Sequence, residues 1–302
     1  MTSYKDHLIS TKSNIREALK KLDILGKDAI LFVVDENKIL IGALTDGDVR
    51  RGLLNNTNID CLVTKILQEN PKFIRKGELN LVKLIKYRQE NYKIIPIVDK
   101  ENKLIDVINF RLKRSYLPVD SVIMAGGKGT RLIPLTLSTP KPLLKVGDKP
   151  IMEHNLDHLS SYGINNYWFS VNYLGDQIEN YFKNGAQKNI SINYVWENNP
   201  LGTIGAVSKI KDFKNDYILI TNSDILTNLN YERFFLDFLN QDADFSVVTV
   251  PYNVSIPYAV LETESNNVKS FIEKPKYTYY SNGGIYLIKK SILKYIPKNE
   301  FF

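Results

Sequence analysis

The residues with the clearest capacity for chemistry lie in Val122-Ile-Met-Ala-Gly-Gly-Lys-Gly-Thr-Arg-Leu-Ile-Pro-Leu-Thr136, followed by Pro140-Lys-Pro142. Asp120 to Ala125 reads as a short apolar strand that runs directly into Gly126, Gly127 and Gly129. Glycines let a backbone turn sharply and bring its N–H groups against phosphate oxygens. Arg131 adds a rigid fork of donors matched to phosphate, and Lys141 a compact positive charge. A bare glycine turn needs neither cation. Glycines, Arg131 and Pro-Lys-Pro at this spacing point to a phosphate cradle.

Such a loop works only if a rigid scaffold holds it. From residue 119 onward the pattern alternates. Strands are expected at Asn166–Val171, Ile190–Trp196, Tyr217–Thr221 and Phe245–Val250, and helices at Ile151–Tyr162, Gln177–Phe182 and Tyr231–Leu239, with another starting over Gly205–Ile210. Strands alternating with helices predict a mainly parallel sheet covered on both faces. In that architecture ligands bind beyond the carboxyl ends of the strands, where the glycine loop falls. Residues 1–115 carry a weak internal repeat of helix, strand, turn and strand. Ala29–Val34, Asp35-Glu-Asn-Lys38 and Ile39–Leu44 in one copy answer to Ile94–Val98, Asp99-Lys-Glu-Asn-Lys103 and Leu104–Phe110 in the other. Arg111 to Pro118 reads as the linker.

The segment at 126–142 resembles the signature of the sugar nucleotidyltransferases, G-G-x-G-T-R-L-x-P-L-T followed by P-K-P. Four more stretches resemble that family in the same order: Glu197-Asn-Asn-Pro-Leu-Gly-Thr-Ile-Gly-Ala206, Thr221-Asn-Ser-Asp224, Phe271-Ile-Glu-Lys-Pro275 and Asn282-Gly-Gly-Ile-Tyr286. Five motifs in order are far more specific than one.

The resemblance implies a single displacement, in which a sugar 1-phosphate oxygen attacks the α-phosphorus of a nucleoside triphosphate and pyrophosphate leaves in line. The attacking oxygen is already ionised, so positioning and charge neutralisation carry the catalysis and no general base is needed. It implies that Met124, Ala125, Gly126, Gly127, Gly129, Thr130, Glu197, Pro200, Gly202 and Thr203 hold the nucleotide. Arg131 would stabilise the departing pyrophosphate, Lys141 would contact the reacting phosphates, and Asp224 would bind Mg²⁺, a hard cation suited to carboxylate and phosphate oxygens. Read alone, Asp224 is a turn or helix-cap residue. Tyr258, Glu273, Lys274 and Asn282 are the residues implied for the sugar. Glu197 bears on the base: a carboxylate is acceptor-only, which matches the adjacent N1–H and N2–H₂ donors of guanine, whereas uracil and thymine suit an amide better. GTP is therefore expected, with UTP, dTTP or CTP as the alternatives. The products would be an NDP-sugar and pyrophosphate, with glucosamine 1-phosphate or mannose 1-phosphate as acceptors for surface or flagellar glycan precursors. Relatives continue past the point where this chain ends, with a further acidic ligand and a final helix. The resemblance therefore implies that Asp224 without that second carboxylate holds the metal weakly, to the cost of activity. A non-catalytic nucleotide-binding regulator on the same fold is the competing reading.

The front repeat resembles a pair of cystathionine-β-synthase (CBS) motifs, a Bateman module. Gly42-Ala-Leu-Thr45-Asp-Gly-Asp48 matches that family's G-x-x-T-x-x-D, which implies Thr45 on a phosphate and Asp48 on the ribose of an adenine nucleotide. Asp106-Val-Ile-Asn109 and Leu112 depart from the pattern in the second copy, which leaves one site at most. A dimerisation scaffold without ligand is the alternative, and a homo-oligomer is implied either way. The expected fold class is α/β: a Rossmann-like, mixed and mainly parallel nucleotidyltransferase sheet over 119–302, preceded by a small α+β CBS pair over 1–115.

Composition sets the outer limits. The chain has 302 residues, room for two domains, and 43% hydrophobic against 24% charged residues gives ordinary cores. The net charge of +7 is spread among acids, with no dense basic block, so no nucleic-acid face is expected. No apolar run approaches a membrane span, and MTSYKDHLIS lacks the features of a signal peptide, so the cytoplasm is the expected compartment. The single Cys61 excludes an internal disulfide, and His7, His154 and His158 come without the third ligand that a metal cluster needs.

Overall fold

Asn14 opens the first helix: its side chain accepts from the Glu17 N–H, and Ile15, Ala18, Leu22 and Leu25 then fall on one buried face. In the computed structural model, which describes residues 3–77, 80–197, 202 and 204–297, this helix belongs to the first of two compact units, Met1–Tyr116 and Leu117–Phe302.

The first unit holds one motif twice. β1 (Leu8–Ser10), α1 (Ile15–Leu25), β2 (Ile30–Val34) and β3 (Leu40–Thr45) follow one another, with β1 parallel to β2 and β2 antiparallel to β3. α2 (Asp46–Leu54) comes next, and β4 (Gln68–Glu69) adds to β3. The second copy repeats the order in β5 (Ile74–Arg75), α3 (Leu81–Gln89), β6 (Ile94–Val98) and β7 (Leu104–Asn109), again parallel and then antiparallel. An aspartate closes each turn between antiparallel strands. Asp35 Oδ1 accepts from the N–H groups of Asn37 and Ile39 at 2.9 and 2.8 Å, and Asp99 Oδ1 from those of Glu101 and Lys103 at 2.8 and 2.9 Å. The turns bond to each other reciprocally, Leu40 N–H to Asn102 O and Leu104 N–H to Lys38 O, both at 3.0 Å. Phe32, Val34, Ile94 and Leu104 form one buried cluster drawn from both copies.

A bidentate ion pair also joins the copies: Arg111 donates to both carboxylate oxygens of the buried Asp28, at 2.7 and 2.9 Å. The Arg111 guanidinium holds the Asp28 carboxyl below the usual carboxylate range, against the opposing effect of burial. A depressed pKa contributes stability that is present above the ordinary carboxylate value and is lost as pH falls through the folded value. Asp28→Ala is expected to cost about 2 kcal/mol near neutral pH, discounted for the partly exposed Arg111. Denaturant melts followed in acid should show the gap between variant and parent closing as Asp28 protonates.

In the second unit β8 (Val119–Met124) is buried on both faces, as a central strand must be. The hairpin of β9 (Lys145–Val146) and β10 (Lys149–Pro150) leads into α4 (Ile151–Ser161). β11 (Asn166–Val171), α5 (Gly175–Phe182), β12 (Ser191–Trp196), β13 (Tyr217–Asn222) and α6 (Tyr231–Asn240) then alternate. β14 (Phe245–Ser255), the small hairpin β15 (Val260–Glu264) and β16 (Asn267–Ile272), and β17 (Lys276–Lys289) complete the described elements. The main sheet runs β12-β11-β8-β13-β17-β14, with four parallel strands, then β17 antiparallel to β13 and β14 antiparallel to β17. Asp120, fully buried on β8, accepts from the backbone N–H groups of Lys214 and Asn215 and from the side-chain amides of Asn215 and Asn166.

Two elements differ from the expectation. Gly205–Lys209 is a short 3₁₀ turn rather than the start of a helix. The chain must reverse there to deliver the N–H groups of Lys214 and Asn215 to Asp120. β14 runs five residues beyond Val250, because its outer half pairs with β17 as a two-stranded ribbon. Among the described residues, no helix is long and apolar enough to cross a membrane.

Candidate nucleotide site

The site forms where three strands of the main sheet end. β8 delivers Met124 and the glycine loop, β12 delivers Glu197, and β13 delivers Asn222, Ser223 and Asp224. Together with Arg131 and Lys141 they line a cavity of about 450 Å³. The loop is anchored at its start by the Ala125 N–H, which donates to Ser170 O at 2.8 Å. It turns at Gly129, whose φ of +63° suits glycine. A Cβ on Gly129 would stand 2.9 Å from Thr136 Cγ2 and 3.1 Å from Lys141 Cβ. Gly129→Ala is therefore expected to displace both the loop and Lys141. Nucleotide affinity, read by calorimetry, should fall about tenfold, for a left-handed strain of about 1–2 kcal/mol.

Lys141 donates to Asp224 Oδ2, so the two residues expected to meet phosphate and metal form an ion pair, each partly exposed to the cavity. Among the described residues no group of three or more His, Cys, Asp and Glu could hold a metal. One carboxylate suffices for a hard cation that keeps several waters and takes its other oxygens from substrate phosphates. Asp224, beside the glycine loop, fits that requirement.

Glu197 is 7% exposed. Its N–H donates to Val171 O at 3.0 Å, its carbonyl accepts from Asn172 Nδ2 at 2.6 Å, and its carboxylate accepts from the Ser170 hydroxyl. Asn172 also lines the cavity and has no counterpart among the sequence candidates. Only its position just past β11 could have suggested it.

The structure thus gathers Met124, Gly126, Gly127, Gly129, Thr130, Arg131, Lys141, Glu197, Gly202 and Asp224 around one cavity. Ala125 lies buried behind it. Pro200 and Thr203 lie outside the described residues. The four residues expected for the sugar are not brought to it. Tyr258, Glu273, Lys274 and Asn282 are exposed on the ribbon of β14 and β17 and the segments that β15 and β16 join to it. Glu273 and Lys274 face each other across 3.9 Å, and Asn282 donates to the Tyr286 hydroxyl at 2.7 Å. The ribbon projects past the sheet's carboxyl edge, and its residues find no core there. His154 and His158 bond to the carbonyls of Val146 and Leu229, as packing residues.

In the first unit Thr45 and Asp48 line a separate cavity of about 710 Å³. Asp48 is 4% exposed there and closes a capping box: its Oδ2 accepts from Thr45 N–H at 2.8 Å and from the Thr45 hydroxyl at 2.6 Å, while Oδ1 accepts from Arg51 and Gln68. Burial alone would raise its pKa. The donors from Thr45, Gln68 and Arg51 outweigh it and hold the carboxyl below its ordinary value.

The profile of the family described as Nucleotidyl transferase matches residues 120–300. A protein of Oryza sativa subsp. japonica named probable mannose-1-phosphate guanylyltransferase 1 is 32% identical over 182 residues, 57% of this chain and 50% of the relative. A UTP–glucose-1-phosphate uridylyltransferase of Synechocystis is 30% identical over 199 residues, 60% of this chain and 51% of its own length. The crystal structure of HddC from Yersinia pseudotuberculosis is similar with 29% identity and a TM-score of 0.48, covering 61% of this chain and 82% of that one. The chain spans about half the length of the curated relatives it matches. With the family profile covering more than half of its residues, this chain belongs to the nucleotidyl transferase family.

Proposed function

We propose that this chain transfers a nucleotidyl group from a nucleoside triphosphate, GTP in preference to the others, to a hexose or hexosamine 1-phosphate, releasing pyrophosphate. The observation that carries this reading is the convergence of the glycine loop, Arg131, Lys141 and Asp224 on one cavity. The loop amides and Arg131 hold the triphosphate, and Lys141 neutralises charge on the reacting phosphates. Mg²⁺ on Asp224 would supply Lewis-acid polarisation of phosphate oxygens when bound. Relatives named as mannose-1-phosphate guanylyltransferases support the sugar 1-phosphate and the guanine base, and the relative named as a uridylyltransferase keeps UTP as the alternative. The test is pyrophosphate release with Mg²⁺, each nucleoside triphosphate in turn and a panel of hexose and hexosamine 1-phosphates. Release with one pair, strongest for GTP, is the expected result. Silence across the panel, together with tight binding of GTP, would favour the non-catalytic regulator.

The first unit supports a second reading, a CBS pair that binds an adenine nucleotide between its copies. The matching turns of Asp35 and Asp99 and the cavity beside Thr45 favour it. Asp48 already accepts from several donors, so a ribose hydroxyl would have to displace Gln68 or Arg51. Calorimetry with AMP and ATP, on the parent and on an Ala43→Trp variant that fills the cavity without touching the capping box, decides between a sensor and a scaffold.

A further inference from the structure

Ser170 is fully buried and bonded to Glu197, which lines the cavity. It sits on β11 between β8 and β12, two of the strands whose ends build the site. Its carbonyl and its hydroxyl are both committed to that site. Its carbonyl accepts from Ala125 N–H, the first residue of the glycine loop, at 2.8 Å. Its hydroxyl donates to Glu197 Oε1. The direction of that bond is fixed, because an ionised carboxylate has nothing to donate. The Glu197 backbone is pinned at the same time by Val171 O and Asn172 Nδ2. The same oxygen lies against the loop, where a Cβ on Gly126 would stand 3.1 Å from it. Glu197 is thus held between a buried hydroxyl and a Cα that carries only hydrogens.

We infer that Ser170 is a specificity-positioning residue: its hydroxyl locks the Glu197 carboxylate into the orientation that reads a base with two adjacent N–H donors. This deepens the proposed function and rests on Glu197 as the base contact. The hydroxyl itself touches no substrate. Its effect is to keep an acceptor pair rigid, so that a base with one donor flanked by carbonyls meets unpaired, repelling oxygens. Without it the carboxylate can rotate, and the penalty against uracil drops while the phosphate contacts stay.

The test compares Ser170→Thr with Ser170→Val, two side chains of one shape that differ by the hydroxyl, together with Ser170→Ala and Glu197→Gln. Binding of GTP and UTP is measured by calorimetry on the full chain, so no turnover is needed, and melting temperatures are recorded beside it. The expected result is a GTP-over-UTP affinity ratio about tenfold lower in the Val and Ala variants, by the weight of a hydrogen bond to a charged group. Thr should keep the parental ratio, and the melting points of Thr and Val should agree. A ratio that stays within twofold of the parent in Ser170→Ala, while Glu197→Gln erases the preference, overturns the role of Ser170 and leaves the base reading standing. A parent that binds GTP and UTP equally, or a preference that survives Glu197→Gln, overturns the base reading and the inference with it.

Discussion

Replacing Lys141 by Met is expected to lower kcat/KM for pyrophosphate release by about 10³-fold, the scale for removing one preorganised charge stabiliser from a reacting centre. Lys141 follows directly from the Pro-Lys-Pro turn and points its ammonium at the end of β13, where it pairs with Asp224. It is only partly buried, so the variant should fold with a melting temperature close to the parent's. The loss should appear mainly in kcat, because the glycine loop and Arg131 still hold the triphosphate. A second readout separates this from a general disturbance. Without the competing ammonium, Asp224 is expected to bind Mg²⁺ more tightly in the absence of nucleotide, which titration calorimetry measures directly. Asp224→Ala should lose activity on the same scale. The double variant should be little worse than either single one, since the two residues act on one set of phosphate oxygens.

The second large effect is on stability. Asp120→Ala is expected to destabilise the second unit by about 3 kcal/mol or more. The side chain is fully buried at the start of the central strand, and it accepts from two backbone N–H groups and two side-chain amides. Its removal leaves those buried donors without an acceptor. Equilibrium urea melts of the parent and the variant measure the difference. Asp120→Asn would replace one acceptor by a donor facing other donors, and it should be nearly as damaging. The loss should also loosen Gly205–Lys209, which reaches β13 through the segment that Asp120 ties down. Nucleotide affinity should therefore weaken along with stability.

The elements of the second unit were legible because their signals are local. Tyr217–Thr221 is an unbroken apolar run that ends in Asn-Ser-Asp, and it becomes β13, which ends one residue later. The repeat of the first unit was legible for the same reason: Asp35-Glu-Asn-Lys38 and Asp99-Lys-Glu-Asn-Lys103, each between two apolar runs, describe turns closed by their own aspartates. The departures from expectation fell where distant partners decide. Gly205–Lys209 stays a 3₁₀ turn, and a carboxylate on β8, far away in sequence, takes the N–H groups of Lys214 and Asn215 a few residues beyond it. The sugar candidates came from motifs alone, and motifs do not say whether a strand end lies inside a cavity or on an exposed ribbon.

By itself the sequence determined which atoms are available: glycines without Cβ, the Arg131 guanidinium, the Lys141 ammonium and the carboxylates of Glu197 and Asp224, the glycines and carboxylates placed just past strand ends by the alternation of apolar runs. Those choices depend on neighbours a few residues away. Only the tertiary structure decided which of them share a cavity, that Lys141 and Asp224 pair across 83 positions, and that a serine with no motif of its own holds Glu197. Strand order and the closing of a sheet bring such groups together. They follow from burying all the apolar faces at once, a condition on the whole chain that no single segment records.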